Sequence, residues 1–88
     1  MGFEWDDEKE RRNVARHNLN FDAAMGILTG KGVERRSDRA GERRWAFTGE
    51  HDGKLWTVIF TRRGDNDRII SARRARKNEE RDYYNTFA

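Results

Sequence analysis

Between Arg43 and Arg74 the chain runs in three stretches where large apolar and polar residues alternate, broken by His51-Asp52-Gly53 and Gly64-Asp65-Asn66-Asp67. A period of two sends successive side chains to opposite faces, so each stretch reads as a strand, and breaks this short join antiparallel neighbours. The first stretch sets Arg43, Trp45 and Phe47 against Arg44, Ala46 and Thr48. The second sets Trp56, Val58 and Phe60 against Thr57, Ile59 and Thr61. One face of the resulting meander is expected to take the large apolar residues and the helices. The other collects Arg44, Thr48, Thr57, Thr61, Ser71 and Arg73, a concentration of hydroxyl and guanidinium groups.

Before this meander the period is helical. Asp6 is a suitable N-cap, the first turn is acidic, and Asp7 to Arg11 and Glu8 to Arg12 stand at the supportive i,i+4 spacing. A first helix is predicted from about Asp7 to His17, closed by Asn18 in the left-handed conformation. Asn20 caps a short second helix whose Phe21, Ala24, Met25 and Leu28 fall at i, i+3, i+4 and i+7. Thr29-Gly30-Lys31-Gly32 is a break, Val33 to Ser37 an edge strand and Asp38 to Gly41 a turn. From Arg76 the pattern is helical again, with Glu79, Glu80 and Arg81 expected on the exposed side and Tyr83, Tyr84 and Phe87 available to dock. The predicted fold is therefore α+β: two N-terminal helices, an antiparallel sheet of three to four strands and a C-terminal helix, in a single domain spanning residues 1–88.

Eighty-eight residues suffice for one modest core, and three tryptophans and five phenylalanines supply its large side chains although 40% of the chain is charged. The net charge of +3 is unevenly spread: residues 1–10 carry five acids against Lys9, whereas Arg62 to Lys77 carry seven bases against Asp65 and Asp67. A basic half of this kind attracts nucleic acid or an acidic protein. Without cysteine there is no disulfide framework or thiolate metal site, and His17 and His51 are too few for a structural zinc, so no cofactor or metal is expected. No apolar run approaches a membrane span, and the acidic start lacks a signal-peptide layout. The expected location is the cytoplasm.

The third strand is the most telling for function. In Arg68-Ile69-Ile70-Ser71-Ala72-Arg73-Arg74 cations and a hydroxyl interrupt what would be a buried strand, and neither face is purely apolar. Arginine offers a planar, permanently charged fork of donors, so Ser71 beside Arg73 reads as a phosphate contact. The alternative is a strand end whose arginines pair with surface carboxylates.

These residues carry a resemblance. Phe3-Glu4-Trp5-Asp6, Arg16-His17 followed by Phe21-Asp22-Ala23-Ala24, Gly41-Glu42-Arg43, Thr61-Arg62-Arg63-Gly64 and Arg68 through Ala75 stand in an order similar to that of the BrnT family of type II toxin–antitoxin systems, over essentially the whole chain. The resemblance implies a RelE-like fold and a ribonuclease that inhibits translation. It also implies neutralisation by a BrnA-like ribbon-helix-helix antitoxin, through which alone operator DNA would be reached. Two departures stand out: Asn18 replaces the glycine usual after the histidine, and Thr29 to Arg36 lacks the family's Asp-Pro type of loop and is unusually basic.

RNA carries its own nucleophile, the 2′-hydroxyl, so such an enzyme must orient that group, stabilise phosphoryl charge and move a proton. One preorganised donor in such a site is worth on the order of 3 kcal/mol. Arg73 ranks first for this role and Arg68 second, with Arg62, Ser71 and Arg74 as flanking phosphate contacts. On an ideal strand Arg68 and Arg73 face opposite ways, so both serve only if Arg68 lies at an edge or a bulge. Candidates for proton transfer are His17, whose other role is to close the first helix, and Glu42, which a salt bridge to Arg44 or Arg73 would also explain. Tyr83 is a candidate to stack an RNA base, or else anchors the last helix. The rival reading is a non-catalytic RNA- or ribosome-binding basic module.

Overall fold

The computed structural model describes residues 2–87. Its elements in chain order are β1 (Gly2–Trp5), α1 (Asp7–His17), α2 (Phe21–Leu28), β2 (Gly32–Arg36), β3 (Trp45–His51), β4 (Lys54–Arg63), β5 (Asn66–Arg74) and α3 (Lys77–Phe87). The strands form one five-stranded sheet in the order β1-β5-β4-β3-β2. Among the described residues no helix is long and apolar enough to cross a membrane.

The three central strands pair as a meander, with Thr48 opposite Thr57 and Thr57 opposite Arg73. Asp52 and Gly53 both adopt positive φ (56° and 78°), the geometry that a two-residue hairpin needs to match strand twist. The sheet has one strand more than the three to four predicted. The additional strand is β1, which pairs parallel with β5 from Gly2 opposite Asn66 to Trp5 opposite Ile69. Four residues give too short an alternation to announce a strand, and their partner lies more than sixty positions away.

Asn18 closes α1 in the left-handed conformation (φ 59°, ψ 37°), and the Asn20 side chain accepts the Ala23 N–H at 2.8 Å to cap α2. Asp6 occupies the N-cap position of α1 without a side-chain capping bond. Phe21, Ala24 and Ile27 of α2 bury against Trp56, Val58, Ile69 and Ala72, and Phe3 and Trp5 pack beside them. Burial of side chains of this size contributes about 1.5–3 kcal/mol each. This cluster defines the apolar face of the sheet.

Helix α1 docks on β5, and α2 supplies the helical side chains of that cluster. The third, α3, lies on the opposite face over β2 and β3, where Glu79 meets Thr57. The expected concentration of hydroxyls is thus partly roofed: Thr48 and Thr57 are buried, as is Glu79, which the helical pattern had assigned to the solvent side.

A β-bulge in β5 decides where its arginines point. Ile59 pairs with Ser71 but the next residue, Phe60, pairs with Ile69, so Ile70 is an extra residue. Ile69 and Ala72 consequently share the core face although three positions apart. By the same shift Arg68, opposite Thr61, and Arg73, opposite Thr57, lie on one face, where an ideal strand would have separated them.

Candidate active site

β1 covers only the first half of β5, through Ile69, and leaves the edge from Ile70 to Arg74 without a strand partner. Helix α1 takes its place. Its one buried residue, Asn13, accepts the Ala72 N–H at 3.0 Å and donates to the Leu19 carbonyl at 2.9 Å, so a side-chain amide continues the ladder and ties down the link to α2. Glu10 adds a second tie by accepting the Phe21 N–H at 2.9 Å. A polar helix thereby sits beside a strand edge at the bulge, with its cationic side chains toward the gap.

The gap is a cleft of about 480 Å³ lined by Arg12, Arg16 and His17 of α1, by Arg39 and Arg44, and by Ile70 and Ser71 of the bulge. A second cleft of about 230 Å³ adjoins it, with Ser71, Arg39 and Arg44 common to both, and adds Ser37, Arg73 and Arg76. Ser71 therefore stands where two arginine-lined clefts meet. Arg16, Arg39 and Arg76 have no carboxylate within ion-pair distance among the described residues. Their charge is available to a ligand.

Arg73 is held from behind. Its Nη1 and Nη2 donate to Oε1 and Oε2 of Glu79 at 2.7 and 3.0 Å, a two-point pair that fixes the guanidinium plane. Glu79 also accepts from Thr57 Oγ1 (3.0 Å) and from the Arg76 N–H (2.8 Å), and pairs with Arg35 at 2.7 Å. Since Thr57 spends its one hydroxyl proton on Glu79, the 2.7 Å contact between Thr48 and Thr57 is donated by Thr48. Burial alone would raise the Glu79 pKa; hydrogen bonds from Arg73, Arg76 and Thr57, with the Arg73 charge, outweigh it and hold the group at about 2. Arg35 in turn pairs with Asp82 at 2.9 Å, so Arg73 and Arg35 are balanced by Glu79 and Asp82, and the free charge of this face comes from Arg39 and Arg76.

His17 ends α1 and lines the first cleft. Its pKa lies below the ordinary 6.5, first because it is partly buried and then because Arg16 and Arg73 repel the protonated form. A cation at this helix end is therefore disfavoured, and a neutral imidazole able to accept a proton faces the cleft at pH 7.

The remaining candidates lie elsewhere. Arg68 shares the face of Arg73 but is paired with Glu4 across the β1–β5 edge at 2.6 Å, and lines neither cleft. Glu42 is engaged by Arg44 at 2.7 Å and stands outside the cleft walls. Arg62 stacks over Trp45, 4.4 Å from the ring centroid, and pairs with Glu34 at the far end of the sheet. Arg74 points to the apolar side, over Trp56. Tyr83 is buried against Tyr84 and Phe87, so its ring anchors α3 and is not open to a base; Tyr84 is the exposed ring.

Glu79, Asn13, Arg12, Arg16 and Arg39 were not singled out by sequence reasoning. A signal existed for Glu79: it is the third residue of α3 and accepts the N–H of the residue preceding that helix, half of a capping box. The others are visible only once α1 is docked on the β5 edge.

The family described as "Ribonuclease toxin, BrnT, of type II toxin-antitoxin system" matches residues 5–79. Among solved structures, the 1.1 Å crystal structure of the Brucella abortus ribonuclease toxin BrnT superposes with a TM-score of 0.66 at 30% identity, over 88% of this chain and 99% of that one. No curated protein matches. The match runs from β1 through the bulge and the clefts to Glu79, and on it the chain belongs to the BrnT family of ribonuclease toxins of type II toxin–antitoxin systems.

Proposed function

We propose that this protein is a metal-independent endoribonuclease toxin of RelE-like type that cleaves RNA by attack of a 2′-hydroxyl on the adjacent phosphate and so inhibits translation. The observation that carries the reading is the meeting of two arginine-lined clefts at Ser71, with a neutral histidine on one side and the clamped Arg73 on the other. His17 takes the proton from the 2′-hydroxyl as the 2′-oxygen–phosphorus bond forms and the phosphorus–5′-oxygen bond breaks, and the departing 5′-oxygen takes a proton from solvent to leave as a hydroxyl. The phosphoryl oxygens lie against Arg73 and Arg39, with Arg44 and Ser71 completing the cradle, and charge that builds as the 2′-oxygen attacks meets donors already in place. Neither step requires a metal, because the nucleophile is part of the substrate and the stabilising charge is part of the protein.

An antitoxin of the BrnA-like ribbon-helix-helix class fits this surface by laying an acidic segment along the same arginines, which blocks substrate and binds tightly. Operator DNA is reached only through that partner.

The test is incubation of the isolated protein with defined RNA in excess EDTA, beside Arg73→Ala. Products ending in 2′,3′-cyclic phosphate, absent with the variant, support the proposal. RNA that is retarded on a gel but stays whole overturns it in favour of a non-catalytic binding module.

A further inference from the structure

Beyond His17 the surface does not revert to neutral. A third cavity, of about 350 Å³, lies between the end of α1 and the β3–β4 hairpin, and His17 lines both it and the first cleft. Its cationic or protonatable lining is His17, His51, Lys54 and Arg74, against the single acid Asp52 in the hairpin turn. Both histidines of the chain are thus gathered in one place although 34 positions separate them in the sequence.

Trp56 is part of the wall of this cavity. Trp56 is 8% exposed, and its indole Nε1 is the buried side-chain polar atom without a hydrogen-bond partner among the described residues. That nitrogen is itself covered, so it is the Trp56 ring, not its N–H, that the cavity presents. Arg74 spreads over the Trp56 ring at 5.5 Å from its centroid and uses only its Nε, at 3.4 Å, on the Leu55 carbonyl. Its two terminal amino groups remain available. Lys54 forms no ion pair among the described residues.

We propose that this cavity is a second anion subsite, in which His51, Lys54 and Arg74 around Trp56 bind a phosphodiester of the RNA strand flanking the one held at Ser71. The inference rests on the RNA-cleaving reading of the clefts and extends it: the strand runs from Arg76 and Arg73, past Ser71 and His17, to the β3–β4 hairpin. Continuity selects this ligand over an isolated small anion. The same His17 ring borders both sites, so a polyanion occupying one cleft is delivered to the other. His51, in the hairpin turn, therefore serves as a substrate contact.

A coupling experiment on binding tests this without relying on cleavage. The probe is a short RNA with 2′-deoxyribose at the scissile position, in one form unmodified and in a second form with the flanking phosphate replaced by a neutral methylphosphonate. Each is titrated into the wild-type protein and into Lys54→Gln. Neutralising the phosphate or the lysine should each weaken binding about tenfold, and both together by little more than either alone. Lys54→Gln should also reduce the dependence of log K on log salt by about one ion. Lys54 is exposed, so its variant is expected to melt with the wild type. Losses that simply add overturn the subsite while leaving the RNA-cleaving reading intact. Failure of the wild type to bind either probe while it still cleaves the all-ribose RNA of the same sequence overturns the subsite alone, and failure of both binding and cleavage overturns the RNA-cleaving reading and the subsite with it.

Discussion

Arg73 grips the Glu79 carboxylate at two points, with Nη1–Oε1 at 2.7 Å and Nη2–Oε2 at 3.0 Å. A strand residue in the cleft and a helix residue beneath it are thereby one unit. An arginine on a bulged strand has several staggered conformers to choose from, and a buried two-point acceptor leaves it one.

Removing the charge while keeping the shape of that acceptor should be costly. Glu79→Gln leaves Arg73 and Arg35 around a neutral amide with one acceptor oxygen in place of two, and breaking a buried pair this way typically costs about 3–5 kcal/mol. Urea denaturation should show a lower midpoint with an unchanged slope. A midpoint within experimental error of the wild type would mean that Glu79 does not hold α3 to the sheet.

Acid should act through the same group. The Glu79 pKa is depressed from 4.5 to about 2 on folding, so its contribution is complete above pH 4.5 and is lost as pH falls toward 2. That contribution is on the order of 3 kcal/mol. Stability measured from pH 6 to pH 2 should decline within that window, and the decline should be shallower in Glu79→Gln.

His17 titrates in the opposite sense to a helix-end cation. Its pKa lies below 6.5, so the proton-accepting form predominates at neutrality and is lost on acidification. Cleavage should rise with pH through a midpoint below 6.5 and then level, and His17→Gln should remove that limb with a loss of about 10²–10⁴-fold. A pH profile unchanged in the variant would assign the proton transfer to another group.

Asn13 links α1, the Leu19 carbonyl and the Ala72 N–H with no water between. Asn13→Ala orphans a buried donor and a buried acceptor, at about 1–3 kcal/mol each. Asn13→Asp should retain the Ala72 bond but set a carboxylate against the Leu19 carbonyl, so its destabilisation should grow as pH rises above the carboxylate range. Thermal melts at two pH values distinguish the variants.

Two glycines should respond with opposite signs. Gly26 sits within α2 with open space where a Cβ would stand, so Gly26→Ala should stabilise by about 0.5–1 kcal/mol. At Gly32 a Cβ would run into the Phe47 ring and the Thr48 carbonyl, and Gly32→Ala should destabilise by about 1–3 kcal/mol. Melting temperatures of the pair, each against the wild type, check both directions.

Much of this architecture is legible in the chain because it depends on near neighbours. The ends of α1 and the start of α2 follow from Asn18 and Asn20, whose backbone and side-chain preferences operate within three residues. The meander follows from the alternation around Trp45, Val58 and Ser71 and from Asp52-Gly53. Ser71 and Arg73 were picked out as candidate phosphate contacts from residue chemistry alone, and both line the second cleft. Arg62 was not separable from them by the same chemistry, since a guanidinium stacked on Trp45 and one aimed into a cleft look alike in sequence.

The sequence by itself determined where helices and central strands lie, because hydrophobic period, caps and tight turns are local and act on every conformation the chain samples. Only the tertiary structure decided that Ile70 is a bulge, that α1 and not a strand closes the β5 edge, and that α3 crosses to the polar face to put Glu79 behind Arg73. Those outcomes depend on which donors are left unpaired after the sheet assembles. Asn13 meets Ala72 across 59 positions, and Glu4 meets Arg68 across 64, distances over which no local preference reaches.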